Sequence, residues 1–255
     1  LMFCTIIGHP LKKPRSVKIW NNFFKNKKIN ISMSACDVKK SKFKKQIKDF
    51  SQNKNFLASA ITMPYKKEVL KYVKIHDKIS LFSKSINLIV KNRNSLLGFN
   101  TDVYGALKSV KNLDNRRVMI FGFGGTGEAI YRTFSKIYKR TKFIIVSSKT
   151  KIKISRGTIL RKKVEESDIS KIDLFINCSP LGSNLKKKFV KKSPLKINQL
   201  LKLKKKSRVF DIVYSPKNTI LSKYCKKLKI RYINGIKMNT IQASKALTIV
   251  EKEIK

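Results

Sequence analysis

Residues Arg117 to Gly127 read RVMIFGFGGTG, and this stretch decides how the rest of the chain is interpreted. The apolar run Val118–Phe121 predicts a short buried strand, and four glycines crowd into the six positions that follow it. Apolar residues then recur at helical spacing, which predicts an amphipathic helix directly after the glycines. Because glycine has no side chain, such a turn lets the backbone approach a pyrophosphate, which the free N–H groups at the helix start can bind. The stretch therefore predicts a dinucleotide-binding fold.

The composition predicts a soluble, cytoplasmic protein. The chain has 255 residues, of which 42% are hydrophobic, so there is enough apolar material for one large domain or two. Its apolar runs are shorter than the roughly 18 residues that span a bilayer, and the apolar start lacks the basic lead-in of a signal peptide. The four cysteines are scattered without a C-x-x-C pair, which favours free thiols over disulfides or a zinc site.

The formal net charge of +46, from 60 Lys and Arg against 14 Asp and Glu, has two interpretations. Dense positive charge is typical of proteins that bind nucleic-acid phosphates. A bias of composition across the whole chain is the alternative. The lysines occur in nearly every segment and greatly outnumber the arginines, which are the better base readers. We therefore expect no specific nucleic-acid partner, but we do expect self-repulsion and non-specific attraction to polyanions.

Strands and helices alternate along the chain, which predicts an α/β fold. Strand-like runs lie at 2–8, 30–36, 56–63, 85–90, 95–99, 118–121, 143–146, 173–176 and 208–213. Ser16 is expected to cap the first helix, and the runs after residue 100 are expected to form a doubly wound sheet. The lysine-dense segment 185–207 is expected to be surface loop and helix, and a last helix is expected from Met238.

The second strand of the dinucleotide-binding region indicates which dinucleotide is bound. Enzymes that hold the ribose hydroxyl of NAD usually place Asp or Glu about 20 residues after the glycine turn. Here that place reads VSSKTK, from Val146 to Lys151, and it contains no acid. Ser148 and Lys149 could instead bind a 2′-phosphate, which a carboxylate would repel. The sequence therefore favours NADP over NAD.

Lys66 and Asp102 are the second candidate constellation. Each follows the end of a predicted strand, and ligands of open α/β sheets gather beyond the carboxyl ends of strands. One lysine among so many carries little information, whereas an acid at a strand-to-helix junction is rare in this chain. Asp102 has an equally simple alternative role, which is to cap the helix expected from Val103.

These motifs together resemble the shikimate dehydrogenase family over nearly the whole chain. The matching segments are Gly8-His9-Pro10-Leu11 with Ser16, Thr62-Met63-Pro64-Tyr65-Lys66, Asn87, Gly98-Phe99-Asn100-Thr101-Asp102, Gly122–Thr126, Ser148-Lys149-Thr150, Asn177–Gly182, Phe210–Pro216, and Gly235 with Met238 and Gln242. The resemblance implies two α/β domains with a cleft between them. A split substrate domain would comprise residues 1–102 and the terminal helix 236–255, and a Rossmann-like NADP-binding domain would comprise residues 103–235.

The resemblance also implies an activity, the reversible NADPH-dependent reduction of 3-dehydroshikimate to shikimate in aromatic amino acid biosynthesis. Lys66 would be the acid/base group, and Asp102 would hold the lysine and bind substrate hydroxyls. The implied substrate-binding residues are Ser16, Thr62, Asn87, Asp102, Tyr214 and Gln242. The implied cofactor-binding residues are Gly122, Phe123, Gly124, Gly125, Thr126, Ser148, Lys149, Thr150, Ser179, Ile212 and Gly235. No metal is implied, and the expected state is a monomer or homodimer.

Two positions depart from the family pattern. Pro14 stands where the family usually has a second serine, and Ala60 stands where it usually has an asparagine. The first change removes one contact to the substrate carboxylate, which is worth on the order of 1–3 kcal/mol. Two alternatives to the main interpretation stay open. One is a quinate/shikimate dehydrogenase that uses NAD, and the other is a decayed family member that binds polyanions.

Overall fold

The computed structural model describes residues 1–12, 14–149 and 151–254. Contacts between Cα atoms divide the chain into two compact units, one of Leu1–Tyr104 with Ile241–Lys255 and one of Gly105–Thr240. Both changes of unit fall inside helices, and so do the predicted domain bounds. Among the described residues, no helix is both long and apolar enough to cross a membrane.

The first unit is built on a mixed sheet. Its strands are β1 (Phe3–Gly8), β2 (Ser32–Asp37), β3 (Phe56–Ile61), β4 (Lys74–Ile75), β5 (Leu88–Asn92) and β6 (Ser95–Phe99). Its helices are α1 (Arg15–Asn26), α2 (Lys40–Gln52), a 3-10 turn (Glu68–Tyr72), α3 (Lys78–Ser83) and the start of α4 (Thr101–Val110). The strand order is β2-β1-β3-β5-β6-β4, in which β1 pairs in parallel with β2 and β3, and the hairpin of β5 and β6 is antiparallel.

Both faces of this sheet are buried, because one helix covers each of them. Trp20 and Phe24 of α1 pack in one apolar cluster with the sheet, and Phe43 and Ile47 of α2 pack in another. The apolar faces of α1 and α2 therefore pack against the sheet, as their helical periodicity predicts. The C-terminal helix adds Val250 to the α1 cluster.

The second unit is built on a fully parallel sheet. Its strands are β7 (Arg117–Phe121), β8 (Lys142–Val146), β9 (Ile159–Arg161), β10 (Leu174–Asn177), β11 (Arg208–Asp211) and β12 (Arg231–Asn234). Its helices are α5 (Gly125–Ile137), α6 (Glu166–Ile169), α7 (Lys187–Val190), α8 (Ile197–Leu201) and α9 (Ile220–Lys227), and α10 (Gly235–Lys252) follows.

The strand order of this sheet is β12-β11-β10-β7-β8-β9. Counted from β7, this is the 3-2-1-4-5-6 order of the doubly wound dinucleotide fold. The chain changes direction across the sheet between β7 and β10, which pair in parallel from Leu174↔Val118 to Asn177↔Phe121. In open α/β sheets ligands bind beyond the carboxyl ends of the strands at such a point. The expected doubly wound sheet is therefore present, with the glycine turn at its switch point.

Several local predictions need correction. The first helix begins at Arg15, so the cap position belongs to Pro14, and Ser16 lies inside the helix instead of capping it. The fourth helix begins at Thr101, and Asp102 does not cap it. The strand β4, the helix α3 and the strands β9 and β12 lacked a sequence signal, because each is only two to six residues long.

Candidate active site

Lys66 and Asp102 form an ion pair in the first unit. The Nζ of Lys66 donates to Oδ2 of Asp102 over 2.6 Å. Their side chains are 26% and 22% exposed, so the pair is reachable from solvent but not fully surrounded by it. Lys66 follows β3 and Asp102 follows β6, so the loops after two strands bring together groups that lie 36 positions apart. The pairing that the sequence predicted is present.

The backbone around Lys66 is fixed by its neighbours. The preceding residue, Tyr65, is fully buried, stacks on Phe43 with ring centroids 4.0 Å apart, and donates its hydroxyl hydrogen bond to the carbonyl of Val38. The carbonyl of Lys66 itself accepts a hydrogen bond from the N–H of Ile86 over 2.7 Å. The backbone of Lys66 is therefore held by neighbouring elements, and its side chain is held by Asp102.

Asp102 is free for this role because another residue caps the helix. The Oδ1 atom of Asn100 accepts the N–H of Val103 over 2.9 Å, and the Asn100 amide donates to the Ser85 carbonyl over 2.8 Å. The sequence allowed Asp102 to be the cap. The buried Asn100 fills that position instead, so the carboxylate of Asp102 can face Lys66.

A polar chain lies beside this pair. The amide of Asn87 donates to Oγ1 of Thr101 over 2.9 Å and accepts the N–H of Thr101 over 2.7 Å. The Thr101 hydroxyl lies 3.1 Å from Oε1 of Gln242 and donates to it. The predicted residues Asn87 and Gln242 are thus joined through Thr101, to which the sequence motif had assigned no role. Its position directly before Asp102 was the available signal.

Thr62 and Ser16 lie at the carboxyl ends of the same sheet. The N–H of Thr62 donates to the Ile7 carbonyl over 2.8 Å, and a Cβ built on Gly8 would come within 2.4 Å of the Thr62 methyl group. Gly8 must therefore be glycine for the loops after β1 and β3 to meet. Ser16 lies in the first turn of α1 and is half-buried, and no contact joins it to the Lys66–Asp102 pair among the described residues.

The glycine turn of the second unit has the geometry of a phosphate cradle. A Cβ on Gly127 would lie 2.1 Å from the Gly122 carbonyl oxygen, so the turn closes only without one. At Gly124 and Gly125 an added Cβ meets nothing within 4 Å, so these positions border open space at the start of α5. Thr126 follows in the first turn of that helix, where N–H groups have no partner within the helix. This arrangement fits a pyrophosphate.

Phe123 belongs to the turn in a different way from the glycines. Its side chain is buried and packs against Tyr131, with ring centroids 5.6 Å apart. The side chain therefore anchors the turn to α5, and a cofactor contact would have to use the Phe123 backbone.

Gly122 also connects the turn to the loop that contains Ser179. Gly122 has φ +92°, and an added Cβ would lie 2.8 Å from the Ser179 nitrogen. Ser179 is held in turn by Asn177, whose Oδ1 accepts from its N–H over 3.0 Å and from its hydroxyl over 2.7 Å. Two predicted cofactor segments, the loops after β7 and β10, are therefore in direct contact.

Asp211 fixes the carboxyl end of this sheet. It is fully buried, and its two oxygens accept four hydrogen bonds, from the Asn177 amide (2.9 Å), the Val213 N–H (3.1 Å), the Thr219 hydroxyl (3.0 Å) and the Tyr232 hydroxyl (3.1 Å). Burial raises the pKa of this carboxyl above its usual range, and the four donors offset part of that rise. Burial also raises the pKa of the Tyr232 hydroxyl, which keeps it a donor. Asp211 lies within the matching segment Phe210–Pro216, but no role was predicted for it.

Three further predicted residues lie in this unit. Gly235 sits against the backbone of Ile212, because a Cβ on Gly235 would be 2.3 Å from the Ile212 carbonyl oxygen. Tyr214, two residues after Ile212, is 41% exposed. Ile212 and Gly235, both predicted to bind the cofactor, are thus adjacent after β11 and β12.

The loop after β8 carries the residues that were expected to choose the dinucleotide. Ser148 and Lys149 are both exposed, and the N–H of Lys149 donates to the hydroxyl of Ser147 over 3.1 Å. Thr150 was also predicted to bind the cofactor, and it lies outside the described residues. The described part of the loop presents a hydroxyl and a cation and contains no carboxylate.

Known proteins are similar to this chain in sequence. The family model described as the shikimate dehydrogenase substrate-binding domain matches residues 6–89. A curated relative from Clostridium botulinum, named shikimate dehydrogenase (NADP⁺), is 29% identical over 253 residues, which cover 95% of this chain and 93% of the relative.

Solved structures share the architecture. The shikimate 5-dehydrogenase of Listeria monocytogenes, in complex with shikimate and NAD, has a TM-score of 0.84 at 19% identity, covering 98% of this chain and 92% of that one. The enzyme of Thermus thermophilus, in complex with NADP(H) and shikimate, has a TM-score of 0.79 at 18% identity, covering 98% of this chain and 93% of the other. The predicted fold class is confirmed.

Proposed function

We propose that this chain is a member of the shikimate dehydrogenase family and that it interconverts shikimate and 3-dehydroshikimate with NADP(H). The observation that carries the proposal is the 2.6 Å pair of Lys66 Nζ and Asp102 Oδ2 at the carboxyl ends of β3 and β6. A proton donor that is held by a carboxylate and still reachable from solvent suits a carbonyl reduction. The fold alone would not choose this chemistry, because one fold supports many activities.

Lys66 and Asp102 have different roles in the proposed reaction. In the reducing direction Lys66 donates a proton to the carbonyl oxygen as that oxygen gains negative charge, and in the oxidising direction it removes the proton of the hydroxyl. Its ammonium also stabilises the developing alkoxide electrostatically. Asp102 holds the Nζ of Lys66 in place and accepts a hydrogen bond from a substrate hydroxyl. NADPH, when bound, supplies the hydride.

Substrate binding is assigned to the polar residues that the family resemblance implies. Asn87, Gln242 and Thr62 are proposed to bind hydroxyls, and Ser16 and Tyr214 to bind the carboxylate. The chain Asn87–Thr101–Gln242 supports the first assignment, because each amide is held by a hydroxyl that leaves further donors or acceptors free. In domain terms we propose residues 1–102 with 236–255 for the substrate and residues 103–235 for NADP.

NADP is the proposed cofactor because the residues fit it. The open positions Gly124 and Gly125 at the start of α5 suit the pyrophosphate, and Ser148 and Lys149 suit a 2′-phosphate. The alternative is a quinate/shikimate dehydrogenase that uses NAD. The Listeria monocytogenes structure with NAD bound makes this alternative worth testing. We further propose that the enzyme works in the cytoplasm, where its four free cysteines stay reduced, as a monomer or homodimer.

The test compares rates with shikimate and either NADP⁺ or NAD⁺, followed at the nicotinamide absorbance band. Wild type should prefer NADP⁺, and Lys149→Glu should lose that preference by roughly tenfold or more, because a carboxylate repels the 2′-phosphate. Lys151→Glu, which makes the same change of charge two residues away, should keep it. Equal rates with both cofactors in wild type would support the NAD alternative. Polyanion binding by a folded protein without turnover would support the decayed family member.

A further inference from the structure

Arginine is much rarer than lysine in this chain, and the arginines are distributed unevenly. Only ten of the 60 basic residues are arginines. Four of these ten, Arg116, Arg117, Arg208 and Arg231, lie at the amino ends of the strands β7, β11 and β12 of the second sheet. We call these four the arginine edge. A bias of composition toward lysine explains lysines everywhere, but it does not explain why four of the ten arginines lie together.

The arginine edge continues into a row of cations across the sheet. Arg231 pairs with Arg208, and Arg117 pairs with Lys142, while the strand between these pairs begins beside Asp173 and Lys204. Adjacent strands lie about 4.8 Å apart, so five neighbouring strands from β12 to β8 extend this row over about 19 Å. A strand of a duplex carries a phosphate about every 3.4 Å, and an extended single strand carries its phosphates farther apart, so the row spans up to about five phosphates.

The positive charge of this edge is only partly compensated. Asp173 is the acid in the middle of the row, and its oxygens already accept from Lys204 Nζ (2.6 Å) and the Arg117 N–H (2.8 Å). The pKa of the half-buried Arg208 guanidinium is lowered, first by burial and then by the nearby charges of Arg231 and Arg116. Like charges held this close repel one another, and an anion bound among them relieves that repulsion.

The side chains needed for binding are available. Arg116, Arg117 and Arg231 are exposed, and within residues 1–12, 14–149 and 151–254 none of the three side chains forms an ion pair or donates a hydrogen bond. Arg116 and Arg117 also line a shallow depression of about 430 Å³, together with Asn115, Ser170, Lys171, Lys204 and Asp173, whose carboxylate is already paired with Lys204. The surface therefore offers fork-shaped donors, ammonium groups and neutral hydrogen-bonding groups, a combination that suits phosphate oxygens.

We propose that the arginine edge is a second binding surface, which takes the phosphate backbone of a nucleic-acid strand without reading its sequence. It lies at the amino ends of the strands, whereas the glycine turn follows the carboxyl end of β7. The two surfaces therefore lie at opposite ends of the strands of one parallel sheet. Nucleic acid bound at the arginine edge therefore leaves the dinucleotide turn accessible.

The test must separate this edge from the overall charge of +46. The edge variant is Arg116→Gln, Arg117→Gln and Arg231→Gln together. The matched control is Lys40→Gln, Lys44→Gln and Lys48→Gln, which removes the same charge from a stripe of exposed lysines on α2. A third variant replaces the same three arginines with lysine and keeps the charge. Each binds a fluorescein-labelled 20-nucleotide oligothymidylate, measured by anisotropy between 50 and 300 mM salt.

The slope of log affinity against log salt gives the answer. Each phosphate contact contributes about 0.7 to that slope for a single strand, so the edge variant should lower it by about 2 and bind about tenfold more weakly or worse. The α2 control should keep the wild-type slope, and the lysine variant should keep most of it. Equal losses in the edge and α2 variants would overturn the proposal, because binding would then follow net charge alone. An unchanged slope in the edge variant would overturn it as well, and so would a lysine variant as weak as the glutamine one. Turnover and thermal melting of every variant show that it is folded.

Discussion

Asp102 follows β6 and Asp211 ends β11, so both lie at the carboxyl end of a strand, yet their surroundings are opposite. Asp102 in the first unit is 22% exposed and faces the cation Lys66 at 2.6 Å. Asp211 in the second unit is fully buried and faces four uncharged donors. The first carboxylate is placed where a substrate can reach it. The second is buried beneath loops that its hydrogen bonds hold in place, which indicates a structural role.

This difference shows that position in the fold does not by itself separate chemistry from architecture. Both aspartates occur in motifs of the family pattern, and both lie where an α/β sheet binds ligands. What separates them is the partner. A partly exposed ammonium is a group that can exchange a proton with a substrate, whereas buried hydroxyls, an amide and a backbone N–H can only hold the carboxylate in place. Substitutions in the two networks should therefore change different measured quantities.

The largest effect is expected at the exposed pair. Lys66→Ala removes the proposed acid/base group, and general acid–base catalysis contributes roughly 100- to 10,000-fold, so kcat for shikimate oxidation should fall by that factor. The free energy of unfolding should fall by only about 1–3 kcal/mol, because the substitution leaves the partly buried carboxylate of Asp102 without its partner. Steady-state rates and urea unfolding measure the two quantities. Lys71→Ala, an exposed lysine of the same segment, is the control. Retained turnover in Lys66→Ala would make the pair structural and end the contrast with Asp211.

The second effect is expected at the buried network. Asp211→Ala leaves four donors without their acceptor, and each stranded buried donor costs up to a few kcal/mol, so we expect a loss of at least 1–3 kcal/mol in the free energy of unfolding. Affinity for NADP(H) should also fall, since Asn177 and the Ser179 loop lose their anchor. Urea unfolding and the quench of tryptophan or nicotinamide fluorescence report the two losses. The control is Asp49→Ala, which removes an exposed helical ion pair with Lys45 and should cost well under 1 kcal/mol. A variant as stable as the control would show that the network is dispensable.

The smallest effect is expected in how the free energy of unfolding depends on pH. The contribution of Asp211 should decrease with rising pH, because its pKa is raised in the folded protein. Burial raises the pKa of Asp211 in the folded protein above its usual 3.8, so between that value and the raised one the folded state binds more protons than the unfolded state. The stability that Asp211 contributes is therefore fully present below pH 3.8 and is lost as the pH rises through the folded pKa. Asp211→Asn does not titrate. The free energy of unfolding of wild type minus that of Asp211→Asn should thus decrease with rising pH, as urea unfolding at a series of pH values would show. An increase would mean that the ionised carboxylate is the form that the fold prefers.

Much of the fold and part of the site could be predicted from the sequence. The glycine turn, the amphipathic helices and the buried strands carry strong periodic signals, so the doubly wound sheet and the confirmed family resemblance followed from them. The pairing of Lys66 with Asp102 was also predicted. The roles of Thr101, Asn100 and Asp211 were not, because they depend on which side chains meet across loops. Short elements such as β4 and β9 exist only because a neighbouring strand offers hydrogen bonds, and a local pattern cannot show that.

Tyr65 gives the first unit a further property. It is stacked on Phe43 of α2 and is covalently joined to Lys66, so the proposed acid/base group is one peptide bond away from a residue of an apolar core. No flexible spacer separates the two, and a loosening of that core would displace the ammonium at once. Turnover thereby becomes a reporter of side-chain order inside the unit. A substitution at position 43 or 38, outside the Lys66–Asp102 pair, should therefore change the reaction rate before it unfolds the chain, and selection can act on that rate.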